Sequence, residues 1–286
     1  MSARRWKKTA DWSKIAAADE PPSRARIRRD MGFSFERWRR RRVLAKAPID
    51  GGLWHDVVVR HVFLRRLNDG DRERLRELAT LFLHDKVLTG AGGQRVTQRM
   101  RVDIAAQACM LILNLDLRYY RGFREIIVYP GQFVPQVEYI DEAGVVHVRR
   151  EVRSGESWQR GPLVLSWEDI QSGGQGTGYN VVMHEFAHKI DMLNGAADGF
   201  PPLHTGMQRA LWAQVFAAAF DDLRARVDSG EDTAIDPYAA ESPAEFFAVL
   251  TEMFFELPDL VRSAYPDAYQ QFARFYRQDP AAQAAP

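Results

Sequence analysis

The sequence predicts an α+β domain, and three observations carry that reading. Helical apolar spacing recurs on both sides of the chain's middle, β-branched and aromatic runs cluster between, and no repeat or regular strand–helix alternation links them. A doubly wound sheet is therefore not expected. With 286 residues, 46% hydrophobic and 11% aromatic, the chain has ample material for a packed core.

Residues 1–30, rich in Arg, Ala, Pro and Asp without apolar periodicity, read as a flexible basic extension. Residues 31–278 read as a single domain, and 279–286, "DPAAQAAP", as a flexible tail. In "NDGDRERLRELATLFLHDKVL" (68–88), Leu75, Leu78, Leu81 or Phe82 and Leu83 recur at helical intervals behind Asn68 or Asp69 as cap. A second helix, "QRMRVDIAAQACMLILNL" (98–115), is apolar nearly all round in its second half, so burial on most sides is expected there. The texture then turns to strands: "REIIVYPGQFV", a pair in "QVEYIDEAGVVHVRRE" turning at Asp141 to Gly144, and "GPLVLSW". That last strand is read either as an exposed edge along which an extended peptide lies or as an interior strand.

The glycine-rich "QSGGQGTGYN" (171–180) lacks the Gly-Lys-Ser/Thr ending of a phosphate loop and matches no dinucleotide fingerprint, so it reads as a hinge or lid beside a cleft. Three helical segments follow it: "VVMHEFAHKID" (181–191), "MQRALWAQVFAAAFDDLRARV" (207–227), and "SPAEFFAVLTEMFFEL" (242–257), the last closed by Pro258.

Charge is divided unevenly behind a formal net of +1: residues 1–46 carry +10 and the remainder −9. The run "RWRRRR" (37–42) could touch nucleic acid or an acidic partner, but a solvated tail or contact with the acidic body is the commoner use of such a run, and no nucleic-acid role is expected. The single cysteine, Cys109, sits in an apolar run and reads as a buried small hydrophobe. No signal-peptide core and no bilayer-length apolar stretch is seen, so the expected location is cytoplasmic.

Chemistry concentrates in 181–191. On an α-helix His184 and His188 project from one face a turn apart, so two imidazole nitrogens can converge on one ion. Glu185, turned about a quarter of a revolution from His184, suits a carboxylate that takes a proton from water without being a ligand. This is the HExxH arrangement, and the competing reading is two core histidines. Phe186 and Ile190 point to the core, and Asn194-Gly195 reads as a left-handed stop. A catalytic zinc site needs a third protein ligand. The longer HExxHxxGxxH pattern is excluded by Asp191 and Asn194, leaving Asp191, His204, Asp236, Glu241, Glu245, Glu252 and Glu256. Glu245 also completes a capping-box pattern from Ser242, and with Ala248, Glu252 and Glu256 it shares a face opposite Phe246, Leu250, Met253, Phe254 and Leu257 that reads equally as solvated. Asp191 is read either as a carboxylate orienting a ligand histidine or as a polar residue near the helix end.

The segments "IAAQACMLILNL", "FREIIVYPGQFV", "SGESWQRGPLVLSWEDIQ", "HEFAHKIDMLNG" and "IDPYAAESPAEFFAVLTEMFF" together resemble the Mlc titration factor A family, bacterial zinc peptidases similar in fold to the catalytic domain of anthrax lethal factor. The resemblance spans about residues 50–280, leaving the arginine-rich head outside. It implies a zincin-like metallopeptidase domain, with a small mixed sheet packed against the HExxH helix and further helices. It also implies Zn2+ held by His184, His188 and Glu245, Glu185 as general base, and Tyr238 near the reacting carbonyl. The implied activity is peptide hydrolysis of aminopeptidase type. The alternative it carries is a regulatory protein that binds and sequesters Mlc, a glucose-responsive transcriptional repressor.

Overall fold

In a computed structural model, which describes residues 29–131, 136–140, 146–150, 155–157 and 161–283, short polar side chains cap several of the helices. Helix α1 (Arg29–Lys46) is followed by α2 (Gly51–Arg60), whose Asp50 cap accepts from Leu53 N at 2.9 Å, and by the single turn α3 (Val62–Arg65). In α4 (Asp69–Asp85) the cap is Asn68, accepting from Asp71 N at 2.9 Å, and in α5 (Gln98–Leu111) it is Thr97, accepting from Met100 N. Each cap satisfies an amide that the first turn would leave unpaired, a contribution of about 1 kcal/mol. From Val102 to Leu111 every residue of α5 is buried, as its apolar composition predicts.

Between α4 and α5 lies β1 (Val87–Gly90), a strand too short to show alternation. It pairs in parallel with β2 (Glu125–Tyr129), which pairs in parallel with β6 (Leu163–Ser166); β5 (Gly155–Ser157) closes the four-stranded sheet antiparallel to β6. Strands β3 (Gln136–Ile140) and β4 (Val146–Arg150) form a separate antiparallel pair. The predicted turn at Asp141 to Gly144 lies outside the described residues, as do residues 1–28 of the basic extension. All four residues of β6 are buried between two neighbouring strands, so "GPLVLSW" is the interior strand of the two readings.

After β6 come α6 (Trp167–Ser172), the glycine-rich loop, α7 (Val181–Asp191), α8 (Arg209–Asp228) and α9 (Pro243–Glu256). Helix α9 ends just before Pro258, as the sequence predicts, and two further helices follow, α10 (Pro258–Ala264) and α11 (Pro266–Tyr276), both of which start on a proline. Proline lacks only an amide that has no partner in a first turn anyway. Of the expected tail, Pro280–Ala282 forms a 3-10 turn with Pro280 buried, held by Tyr269 through Asp279 and the Ala281 amide. Residues 284–286 lie outside the described part. In the arginine run, Arg40 reaches Asp116 at 3.8 Å and Arg42 lies over the Trp38 ring, so part of it packs on the chain's own surface. Among the described residues no helix is long and apolar enough to cross a membrane.

Two aromatic clusters hold the elements that matter for the site. Phe186, on the inner face of α7, meets Phe82, Tyr120 and Phe123, which locks that helix onto α4 and the segment before β2. Trp212 stacks on Phe216 at 4.1 Å, and with Phe247, Phe272 and Phe275 it joins α8, α9 and α11. Burying each such ring contributes roughly 1.5–3 kcal/mol, so the first cluster anchors α7 and the second anchors α9, and the two helices pack directly against each other. The architecture is α+β, with helices carrying most of the core around a small, largely parallel sheet.

Candidate metal centre

Helix α7 begins at Asn180, whose Oδ1 accepts from Met183 N at 2.9 Å. Its inward face is Phe186 and Ile190, both fully buried, and the 3.6-residue period turns His184 and His188 toward α9. The helix ends not at Asn194-Gly195 but at Asp191, passing into a 3-10 turn (Met192–Asn194) before Gly195, whose φ of 155° favours glycine.

On α9, Ser242 Oγ accepts from Glu245 N at 3.2 Å, so the cap exists. The Glu245 carboxylate does not reach back to complete a capping box; its Oε2 lies 3.1 Å from His184 Nε2 and 3.4 Å from His188 Nε2. The two Nε2 atoms are 3.2 Å apart. Among the described residues these three form the one group placed to hold a metal ion.

Do these residues fit an ion? A tetrahedral centre with bonds near 2.0–2.1 Å has ligand–ligand edges of about 3.3–3.4 Å, and all three observed separations fall close to that. Glu245 Oε2 is buried and has no hydrogen bond of acceptable geometry, although two imidazoles face it. Three carboxylates, Glu185, Glu245 and Glu252, surround two imidazoles, an excess of negative charge that a cation would balance. The donor set of two imidazole nitrogens and one carboxylate oxygen fits.

The electrostatics separate the carboxylates. Burial opposes charge on Glu245, but His184 and His188 beside it prevail and hold its carboxyl well below the usual range. Burial raises Glu185, only partly offset by the same imidazoles, and its Oε2 has no hydrogen-bond partner. Tyr238 follows the Asp236 cap, which accepts from Tyr238 N at 2.9 Å, and its ring centroid is 6.1 Å from that of His184. Partial burial and the Glu245, Glu241 and Glu185 carboxylates raise its phenol above the ordinary value, so it stays a protonated donor.

The other candidates are elsewhere or differently employed. His204 is held by Tyr119 and the Phe275 carbonyl, Asp236 by the backbone turn, and Glu241 is exposed. Asp191 accepts from Gly199 N at 2.8 Å, and burial pushes its carboxyl up to about 7; it makes no hydrogen bond to either imidazole among the described residues. Its bond to Gly199 ties down the chain after α7, and the carboxylate in contact with a ring nitrogen of His184 is Glu252, with Oε1 2.7 Å from Nδ1. Glu252 and Glu256, read from the sequence as candidate ligands or as part of a solvated helix face, are both buried and are not among the three converging donors. Nor is the glycine-rich loop free: Glu256 accepts from Gly176 N at 2.6 Å and Glu252 from Asn180 N.

The donor set suits a metal ion, and comparison with known sequences gives the class of protein, a metallopeptidase family. Residues 35–277 match the family described as glucose-regulated metallo-peptidase M90, and the chain belongs to that family. Proteins called Mlc titration factor A from Yersinia pestis (strain Pestoides F) and Yersinia pseudotuberculosis (serotype O:1b, strain IP 31758) are each 38% identical over 232 residues, 80% of this chain and 85% of theirs.

Proposed function

We propose that the protein is a zinc-dependent peptidase of aminopeptidase type. The observation that carries the reading is the convergence of His184, His188 and Glu245 on one point beside the buried Glu185 carboxylate, whose Oε2 has no hydrogen-bond partner. His184, His188 and Glu245 would hold the ion. A zinc ion there lowers the pKa of water and polarises a carbonyl.

Glu185 accepts the proton of the attacking water and passes it to the leaving amine. Burial raises its carboxyl, so it holds a proton more readily than an exposed glutamate, which suits a group that takes a proton and then returns it. Tyr238, protonated and within reach of the same face, donates a hydrogen bond to the oxygen on which charge develops. Phenylalanine at position 238 is expected to lower kcat by roughly 10²-fold with little change in KM, because a donor to the oxyanion acts on the transition state. An unaltered kcat removes Tyr238 from the machinery.

The free edge of the sheet next to α7 is β5, which among the described residues pairs only with β6. It supplies a ledge for an extended peptide backbone. The aminopeptidase type follows from the sequence resemblance, and its test is hydrolysis of chromogenic aminoacyl substrates against the same substrates blocked at the amine. The purified chain is expected to contain one zinc ion, to lose hydrolysis on chelation and to regain it on zinc addition. A chain that hydrolyses equally well after chelation refutes the reading.

The relatives' name favours a second role, capture of the repressor Mlc. The two are separable: a repressor pull-down that survives Glu185→Gln marks a binding role independent of hydrolysis.

A further inference from the structure

We infer that Glu252 is the positioning residue of the metal centre, fixing the tautomer of His184 while tying that imidazole to the backbone of the glycine-rich loop. The inference rests on the metal-centre reading and extends it to a buried residue that is not a ligand. Seven positions beyond Glu245 on α9, Glu252 uses its two oxygens for two different tasks.

The first is chemical. Glu252 Oε1 lies 2.7 Å from His184 Nδ1, and where that oxygen accepts the hydrogen bond the imidazole proton sits on Nδ1. That leaves a lone pair on Nε2, the atom facing Glu245 Oε2 and His188 Nε2. The opposite tautomer would point an N–H into the site and exclude a ligand bond.

The second is mechanical. The other oxygen accepts from Asn180 N, and Asn180 is the cap of α7, the helix that carries both histidines. Asn180 Nδ2 in turn donates to Glu256 Oε1 at 3.2 Å, while Glu256 Oε2 holds Gly176 N. Behind them Gly174, at φ +79°, lies so close to His61 that a Cβ would stand 2.2 Å from its Nδ1, and His61 is itself bound to Asp103 at 2.7 Å. The loop is thus a strap fastened at three places, and one of its fastenings is shared with a metal ligand.

Glutamine is the informative replacement because it keeps the shape and loses one acceptor. If its carbonyl faces Nδ1, its NH2 opposes the Asn180 N–H; if it is flipped, NH2 donates to Nδ1 and drives the proton onto Nε2. Neither arrangement satisfies both contacts. Glu256→Gln disturbs the loop in the same way without touching His184.

The experiment is zinc affinity of the full-length wild type, Glu252→Gln and Glu256→Gln by competition with a chromophoric chelator, with hydrogen exchange of the Gly176 and Asn180 amides read in parallel. The expected result is a roughly 10–100-fold loss of zinc affinity in Glu252→Gln and faster exchange in both variants, with Glu256→Gln keeping wild-type affinity. Wild-type affinity in Glu252→Gln, or an equal loss in both variants, overturns the inference; the latter would mean that the effect passes through the loop alone. A wild type that holds no zinc instead brings down the metal-centre reading itself. Should Glu252→Gln fail to fold, ring nitrogen correlations of His184 in the zinc-free wild type, at a pH where the ring is neutral, decide: a proton on Nδ1 upholds the inference and one on Nε2 overturns it.

Discussion

Replacing Glu185 by glutamine is expected to lower peptide hydrolysis by roughly 10²–10⁴-fold while leaving the zinc content at that of the wild type. The separation follows from geometry. Glu185 is adjacent to His184 in sequence but is not among the three groups whose donor atoms converge, so the donor set survives its neutralisation. What is lost is the proton acceptor, since an amide cannot take a proton from water and return it to an amine at neutral pH. The change also removes a buried carboxylate without a full set of partners, so stability should hold or rise slightly. Metal analysis beside aminoacyl-substrate kinetics checks both halves. Persistent hydrolysis in the variant removes Glu185 as base, and loss of zinc would make it a ligand.

Glu245→Ala is expected to have the larger effect on the ion itself. Two imidazoles remain where three donors stood, and zinc affinity should fall by more than the roughly 100-fold upper range for loss of an orienting partner. Hydrolysis should disappear with the ion and be only partly restored by excess zinc. Helix α9 should nevertheless form, because the Ser242 cap bonds the backbone amide of residue 245 and not its side chain. Circular dichroism of the variant separates loss of the ion from loss of the fold. Full zinc occupancy in Glu245→Ala would show that the third donor is another residue. The ranking of Glu245→Ala above Glu252→Gln is itself informative, since one removes a donor atom and the other only its neighbour's orientation.

Much of this was open to reading from the chain. The four-residue spacing of His184 and His188 places both on one helix face wherever the helix sits, because 3.6 residues per turn is a local property. The same locality made α4, α5, α8 and α9 visible through their apolar spacing and caps. Helices α2, α10 and α11 were missed for reasons equally local. "LWHDVVVR" is β-branched, and Pro258 and Pro266 look like stops although proline serves as a first-turn residue. Strand β1 has four residues, too few for a period of two to declare itself.

The sequence by itself determined the pair of imidazoles, the adjacent glutamate and a short roster of acidic partners. Only the tertiary structure decided that Glu245 turns to the imidazoles instead of its own helix cap, that Glu252 and Glu256 are buried fastenings and not a wet surface, and that β6 is an inner strand. The reason is that periodicity tells which residues share a face but not what covers it. Here the cover is α7 and a loop more than sixty positions earlier in the chain, a long-range contact that no local pattern encodes.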